Sequence, residues 1–180
     1  NNEGLLEFDG SQWHKFKVPL STKVRAVKVD HQNRIFVGGQ NQIGYFETTQ
    51  NGLEFTSLVD NLRPDLKSFS EIWNIIEINK QIYFNTESKL LVYNGDEIKE
   101  LESPGFLLSS FKHRNKLFAQ FYEEGLFEYV NGNFEPIGGT KSVPELVPVI
   151  DKGTDDFYFS QTGIIFKSGN STIPFKDYSK

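Results

Sequence analysis

The sequence predicts an all-β fold of repeated four-stranded antiparallel sheets, and three observations predict it. Four apolar triplets recur: Ile35-Phe36-Val37, Ile82-Tyr83-Phe84, Leu117-Phe118-Ala119 and Phe157-Tyr158-Phe159, with starts 47, 35 and 40 residues apart. Each triplet has the same neighbours: an apolar run and a polar turn before it, then a third run, a tight turn and a more polar fourth run after it. No window carries sustained i, i+3, i+4, i+7 apolar spacing, so helices are not expected. Four strands in a unit of about 40 residues is the pattern of a β-propeller blade, and the chain holds about four and a half of them.

The elements follow in order. Residues 1–18 read as half a blade: Gly4-Leu5-Leu6-Glu7-Phe8 as a third strand, Asp9-Gly10 as its turn, and Trp13 to Val18 as a fourth strand. Four whole blades follow at approximately 24–58, 72–102, 107–138 and 146–176. Their first strands are the runs Val24 to Val29, Ile72 to Ile78, Leu107 to Phe111 and Leu146 to Ile150. Polar turns lead from these to the triplets, which are the second strands. Third strands are expected at Gly44-Tyr45-Phe46-Glu47, Leu90-Leu91-Val92-Tyr93, Gly125-Leu126-Phe127-Glu128-Tyr129 and Gly163-Ile164-Ile165-Phe166. The turns Asn51-Gly52, Asn94-Gly95 and Asn131-Gly132 predict type I′ hairpins, because Asn-Gly tolerates the positive φ angles such a turn requires. Gly169-Asn170 closes the last hairpin.

A four-stranded sheet that is apolar on both faces cannot hide both alone, and stacking neighbouring sheets face to face buries them. The first strand of a blade is accordingly expected to be buried and the fourth to tolerate charge. Val27 and Val29 lie in a first strand, whereas Glu97, Lys99 and Glu100 lie in or beside a fourth. The opening half-blade leaves a raw strand edge. More propeller is therefore expected beyond both ends, the alternative being a small self-contained β-domain with unusual closure.

Several stretches resemble blade ends in the sensor propellers of bacterial two-component regulators: Asn2-Glu3-Gly4-Leu5-Leu6-Glu7-Phe8-Asp9-Gly10, Ile72-Trp73-Asn74-Ile75 with Gln81-Ile82-Tyr83-Phe84, and Glu124-Gly125-Leu126-Phe127-Glu128-Tyr129. The resemblance covers nearly the whole chain. It implies a sensor segment outside the cytoplasmic membrane, periplasmic or otherwise extracytoplasmic. In that family a triple-tyrosine β-domain, a membrane helix and an output module follow the propeller, so contact with the membrane is expected only through segments absent from this chain.

Composition narrows the chemistry. The net charge is −5 with no basic block, and Lys112-His113-Arg114 with Lys116 is too short a cluster to follow a phosphate backbone, so no nucleic-acid partner is expected. The absence of Cys removes disulfides, thiolate ligands and thiol nucleophiles. His14, His31 and His113 fall in different parts of their blades, and no metal site or cofactor is expected. Glu123-Glu124 and Asp155-Asp156 are adjacent pairs whose side chains diverge on a strand. No phosphate loop, calcium loop or nucleophile elbow appears, so a non-enzymatic role is expected.

A propeller ligand is expected where loops joining second to third strands, and one blade to the next, surround the axis. Gln40, Asn41, Asn85, Gln120, Tyr122, Glu123 and Gln161 supply polar groups there, while Arg25 and Trp73 open first strands. Planar polar groups beside an aromatic face suit a polar small molecule or oligosaccharide. The expected function is a ligand-sensing segment of a two-component or transcriptional regulator, with a homodimer among its expected assemblies. The alternatives are a protein-interaction scaffold of the cell envelope, or a fragment of a propeller lyase or glycosidase. The 59–71 loop, with Leu62, Leu66 and Phe69, is expected to cap a blade or to dock a partner.

Overall fold

The computed structural model describes residues 4–19, 23–67, 69–141, 146–152, 155–160, 164–167 and 173–177, with side chains as far as residue 141. The strands form one two-stranded sheet and four four-stranded sheets, every pairing between consecutive antiparallel strands. The chain divides into two compact units, residues 1–101 and 102–180.

Unit 1 opens with a hairpin of β1 (Leu5–Phe8) and β2 (Trp13–Phe16), in which Phe8 pairs with Trp13. Blade 1 follows as β3 (Val24–Val29), β4 (Ile35–Gly39), β5 (Gln42–Thr49) and β6 (Gly52–Ser57). Blade 2 is β7 (Ile72–Ile78), β8 (Gln81–Thr86), β9 (Leu90–Tyr93) and β10 (Ile98–Glu100). Unit 2 holds blade 3, β11 (Leu107–His113), β12 (Lys116–Phe121), β13 (Gly125–Val130) and β14 (Asn133–Pro136). Blade 4 is β15 (Leu146–Lys152), β16 (Asp155–Ser160), β17 (Ile164–Lys167) and β18 (Ile173–Asp177). The turns containing Gly163 and Gly169-Asn170 lie outside the described residues.

The core of unit 1 is the apolar layer between blades. Phe36, Ile43 and Leu58 of blade 1 meet Ile72, Ile75, Phe84, Leu91 and Tyr93 of blade 2. Gly38 lets β7 lie against β4, since a Cβ there would come within 2.5 Å of the Ile72 side chain. The 59–71 loop closes this layer by burying Leu62, Leu66 and Phe69, so it caps the blades. A smaller cluster of Leu5, Val18, Val37 and Phe46, with Phe16 against it, packs the β1–β2 hairpin on blade 1.

One ion pair pins blade 1. The buried Asp30 carboxylate accepts from the Gln32 and Arg34 backbone N–H groups at 2.9 and 2.8 Å, and from the Arg34 guanidinium at 2.8 Å. That guanidinium lies 5.1 Å from the Phe36 ring centre and 4.9 Å from that of Tyr45. Burial pushes the Asp30 pKa upward, but the bonds from Arg34 and Gln32 outweigh it and hold the carboxyl below its ordinary value.

The turns depart from expectation in an instructive way. Asn131-Gly132 has positive φ at both residues, 50° and 92°, as type I′ requires. At Asn51-Gly52 and Asn94-Gly95 only the glycines have positive φ. Asn94 begins a four-residue loop between the paired Tyr93 and Ile98, and its Oδ1 accepts from the N–H groups of Asp96 and Glu97. Asn51 instead lies ahead of Gly52, which already pairs with Thr49. The place of the dipeptide in the loop, more than the dipeptide itself, decides the turn: the loops at 50–51 and 131–132 are both two residues long, and only the second is made of the Asn-Gly pair. Positive φ at successive residues also occurs where no glycine stands, at Asn79-Lys80 and Arg114-Asn115 between first and second strands.

Val27 and Val29 are half exposed rather than buried, at 50% and 51%. They lie on the β3 face that carries Val37 and Ile35 in register on β4. The cluster that seats the β1–β2 hairpin takes in Val37 and Ile35 of β4 and Val24 at the start of β3, but not Val27 or Val29.

Candidate ligand-binding site

The first strands of blades 1, 2 and 3 share one irregularity. Register shifts fall between Val24 and Ala26, between Ile72 and Asn74, and between Leu107 and Ser109. Each bulge leaves one residue outside the pairing, and an extra residue of this kind re-aims its side chain. The three residues are Arg25, Trp73 and Leu108, and all three are exposed.

In unit 1 the bulges bring two sequence-predicted residues together. The Arg25 guanidinium lies 5.0 Å from the Trp73 ring centre, and its Nε donates to Glu71 Oε2 at 2.6 Å. Trp73 remains 55% exposed, so it offers an aromatic surface beside a guanidinium held by an ion pair. Such cation–π contact contributes about 0.5–1 kcal/mol at exposed sites. Gln40 and Asn41 sit exposed on the neighbouring β4–β5 turn. The Asn41 N–H donates to the Ser70 carbonyl at 2.9 Å, tying that turn to the segment that carries Glu71. The hydroxyl of Ser70 bonds to Glu87.

Asn85 and Gln120 are buried and do not stand on an exposed loop. Both expected loop residues lie within strands, β8 and β12, and are only 5% and 1% exposed. The strands run past the expected loop starts to Thr86 and Phe121. In register, Asn85 faces Asn74 and Gln120 faces Ser109, the positions that directly follow the bulges. The Oδ1 of Asn85 is buried without a hydrogen-bond partner. The turn after β8 is organised by Thr86, whose Oγ1 accepts from the Ser88 and Lys89 N–H groups.

In unit 2, Tyr122 and Glu123 are exposed on the β12–β13 turn, with Glu123 at a φ of 58°. The Tyr122 N–H donates to the Phe106 carbonyl at 2.8 Å. Phe106, Leu108 and Tyr122 are 54%, 40% and 58% exposed. Glu124 pairs with Lys141 at 3.2 Å. Gln161 lies outside the described residues.

Glu71, Phe106 and Leu108 escaped the sequence reading. Leu108 carried a signal, since it occupies the second position of a first strand, as Arg25 and Trp73 do. The three histidines stand apart: His14 pairs with Asp9 at 2.7 Å, His31 with Glu77 at 2.6 Å, and His113 lies 6.0 Å from the Phe118 ring centre. Among the described residues no three potential ligands gather around a metal position.

No family model matches the sequence, and no curated protein does. Solved structures match by shape. The chain is similar to the extracellular domain of BT4673 from B. thetaiotaomicron, described in one structure as a one-component system and in another as a hybrid two-component system. The TM-scores are 0.66 and 0.62 at 15% and 17% identity, covering 98% and 92% of this chain. It spans 26% and 24% of those chains, about a quarter of their length. The WD40 β-propeller domain of Doa1 matches with a TM-score of 0.62 at 13% identity, over 94% of this chain and 59% of that one. At these identities the likeness concerns the fold, and the fold is that of propeller blades.

Proposed function

We propose that the chain is a ligand-sensing propeller segment of a bacterial regulator, working outside the cytoplasmic membrane by binding a polar ligand such as an oligosaccharide. The observation that carries this reading is the Arg25–Trp73 pair. Two blades spend an extra residue each to set an aromatic face and a guanidinium side by side at the surface. A ligand ring lies on the free indole surface, and its polar groups meet Arg25, Gln40 and Asn41. The fold likeness to extracellular domains of one- and two-component systems supports the same reading. The role is non-enzymatic: binding shifts an equilibrium in segments downstream.

Titration of the chain with neutral and acidic oligosaccharides, followed by tryptophan fluorescence in a Trp13→Phe background, tests it. One member of the panel is expected to perturb Trp73. Trp73→Ala is expected to weaken that binding by at least tenfold, and Arg25→Ala by a smaller factor. A panel without effect, or binding that ignores Trp73→Ala, overturns the proposal. A second reading, a protein-interaction scaffold, draws on exposed Phe106, Leu108 and Tyr122, since clustered exposed apolar residues mark interaction surfaces. It predicts capture of a protein partner that Tyr122→Ser abolishes and Trp73→Ala leaves intact.

A further inference from the structure

Three Asn-Gly pairs, Asn51-Gly52, Asn94-Gly95 and Asn131-Gly132, stand at the third-to-fourth strand hairpins of blades 1, 2 and 3. Such a pair can undergo a reaction that needs only water. The glycine nitrogen attacks the asparagine side-chain carbon Cγ, and a glycine, lacking Cβ, does not shield its own nitrogen. The N–Cγ bond forms and the Cγ–Nδ2 bond breaks. The displaced nitrogen takes the proton of the attacking amide and leaves as ammonia. Water then opens the five-membered imide at either carbonyl. One opening gives aspartate; the other gives isoaspartate, with the backbone rerouted through Cγ. Water enters, ammonia leaves, and nothing is oxidised or reduced.

Room does not separate the three pairs. All six residues are exposed, and a Cβ built on any of the three glycines meets nothing within 4 Å. Hydrogen bonding does separate them. In blade 1 the loop is 50–51, and Gly52 already pairs with Thr49 across the hairpin. The residue that closes a two-residue turn donates its N–H back to the residue before the turn, so the attacking nitrogen is the closing donor. The Asn51 side chain is also held, its Nδ2 donating to Glu54 Oε1 at 3.2 Å. In blade 2 the Asn94 Oδ1 accepts from the Asp96 and Glu97 N–H groups at 3.0 and 2.9 Å, and rotating the carboxamide toward Gly95 gives up both bonds. In blade 3 the loop is Asn131-Gly132 itself, closed by the pair of Val130 and Asn133. The closing donor is therefore Asn133, which leaves the Gly132 nitrogen out of the ladder. Among the described residues the Asn131 side chain makes no hydrogen bond. We infer that Asn131 is a site of spontaneous covalent modification, converting to isoaspartate and aspartate in the folded protein ahead of Asn51 and Asn94. Either product puts a new carboxylate on the hairpin, and isoaspartate lengthens the loop by one backbone atom. The type I′ turn then no longer matches its strands. Pairing is expected to loosen first at Val130 and Asn133, then at Tyr129 and Phe134, whose ring centres lie 4.9 Å apart. The inference is independent of what the Arg25–Trp73 site binds.

Ageing the chain in mildly alkaline buffer, with timed peptide mapping by mass spectrometry, tests it. A parallel sample in urea removes the fold and leaves each pair with its local chemistry alone. In urea the three pairs are expected to react at similar rates. In the folded chain Asn131 is expected to lead each of the others by roughly fivefold or more, the factor imposed by one hydrogen bond that must break beforehand. Asn131→Gln is expected to abolish the product at this hairpin and to leave the rates at Asn51 and Asn94 unchanged. Asn51 or Asn94 reacting first in the folded chain, or equal rates there, overturns the proposal. So does the same lead of Asn131 in urea, because the order would then come from local sequence and owe nothing to the turns.

Discussion

Asp30 and Arg34 carry the sharpest single-residue consequence. Folding holds the Asp30 carboxyl below its ordinary pKa, so the folded state favours the charged form. Stability from this source is fully present above the unfolded value, near pH 4, and is lost as pH falls through the lower folded value. Asp30→Asn is expected to cost about 2 kcal/mol at neutral pH, because it leaves the Arg34 guanidinium in a half-buried site without its charged acceptor. Urea titrations at pH 7 and pH 3 should find the gap between the two proteins wide at the first and narrowed at the second. At this scale the sequence was legible in part. Arg25 and Trp73 could be placed at strand openings from the repeat alone. Glu71, 46 residues from Arg25, could not, because only the packing of β7 beside β3 makes them neighbours. Asn85 and Gln120 misled because a polar residue at the end of an apolar triplet reads as loop, whereas the ladder continues beneath it.

Strands and turns obey different kinds of information. The strand rhythm rests on apolar periodicity, which the sequence displays openly. The turns depend on which residues the loop comprises, which a strand end misplaced by one residue alters. Lys80 shows the cost of a mismatch. It adopts a φ of 67°, where an L-residue other than glycine is disfavoured by about 1 kcal/mol. Lys80→Gly is expected to raise stability by about 0.5 kcal/mol, after the entropy glycine adds to the unfolded chain is subtracted, seen as a higher urea midpoint at unchanged slope. Gly38→Ala is expected to act in the opposite sense, by about 1–3 kcal/mol, since its methyl group would meet the branched Ile72 side chain. Thermal unfolding of that variant checks the close approach of β4 and β7.

At the scale of the folded units, stability in unit 1 is shared between sheets that depend on one another. Phe36 is fully buried between blades 1 and 2, within ring contact of Tyr45, Phe84 and Tyr93. Phe36→Ala is expected to cost about 3–5 kcal/mol, and the damage should stay local. Hydrogen exchange should report lost protection across residues 24–100 and little change in the strands of 107–136. Global loss of protection would mean that the two units unfold as one. The blade count and strand order were readable because repetition supplies several independent observations of one pattern. The exposed face of β3 was not, because every first strand looks equally apolar in sequence, and only its neighbours determine whether it is covered.

The bulges have a consequence for heritable variation. A residue outside the ladder contributes its side chain without a pairing partner to satisfy, so mutation can exchange it while the sheet around it persists. Arg25, Trp73 and Leu108 already differ as much as a cation, an indole and an aliphatic chain can, on backbones that depart from regular pairing at the same place. Blades copied from one ancestor could thus diverge in what they present while remaining interchangeable in how they stack. Randomising these three positions together should yield a population of folded variants with altered surfaces, a ready source of new specificities on an unchanged frame.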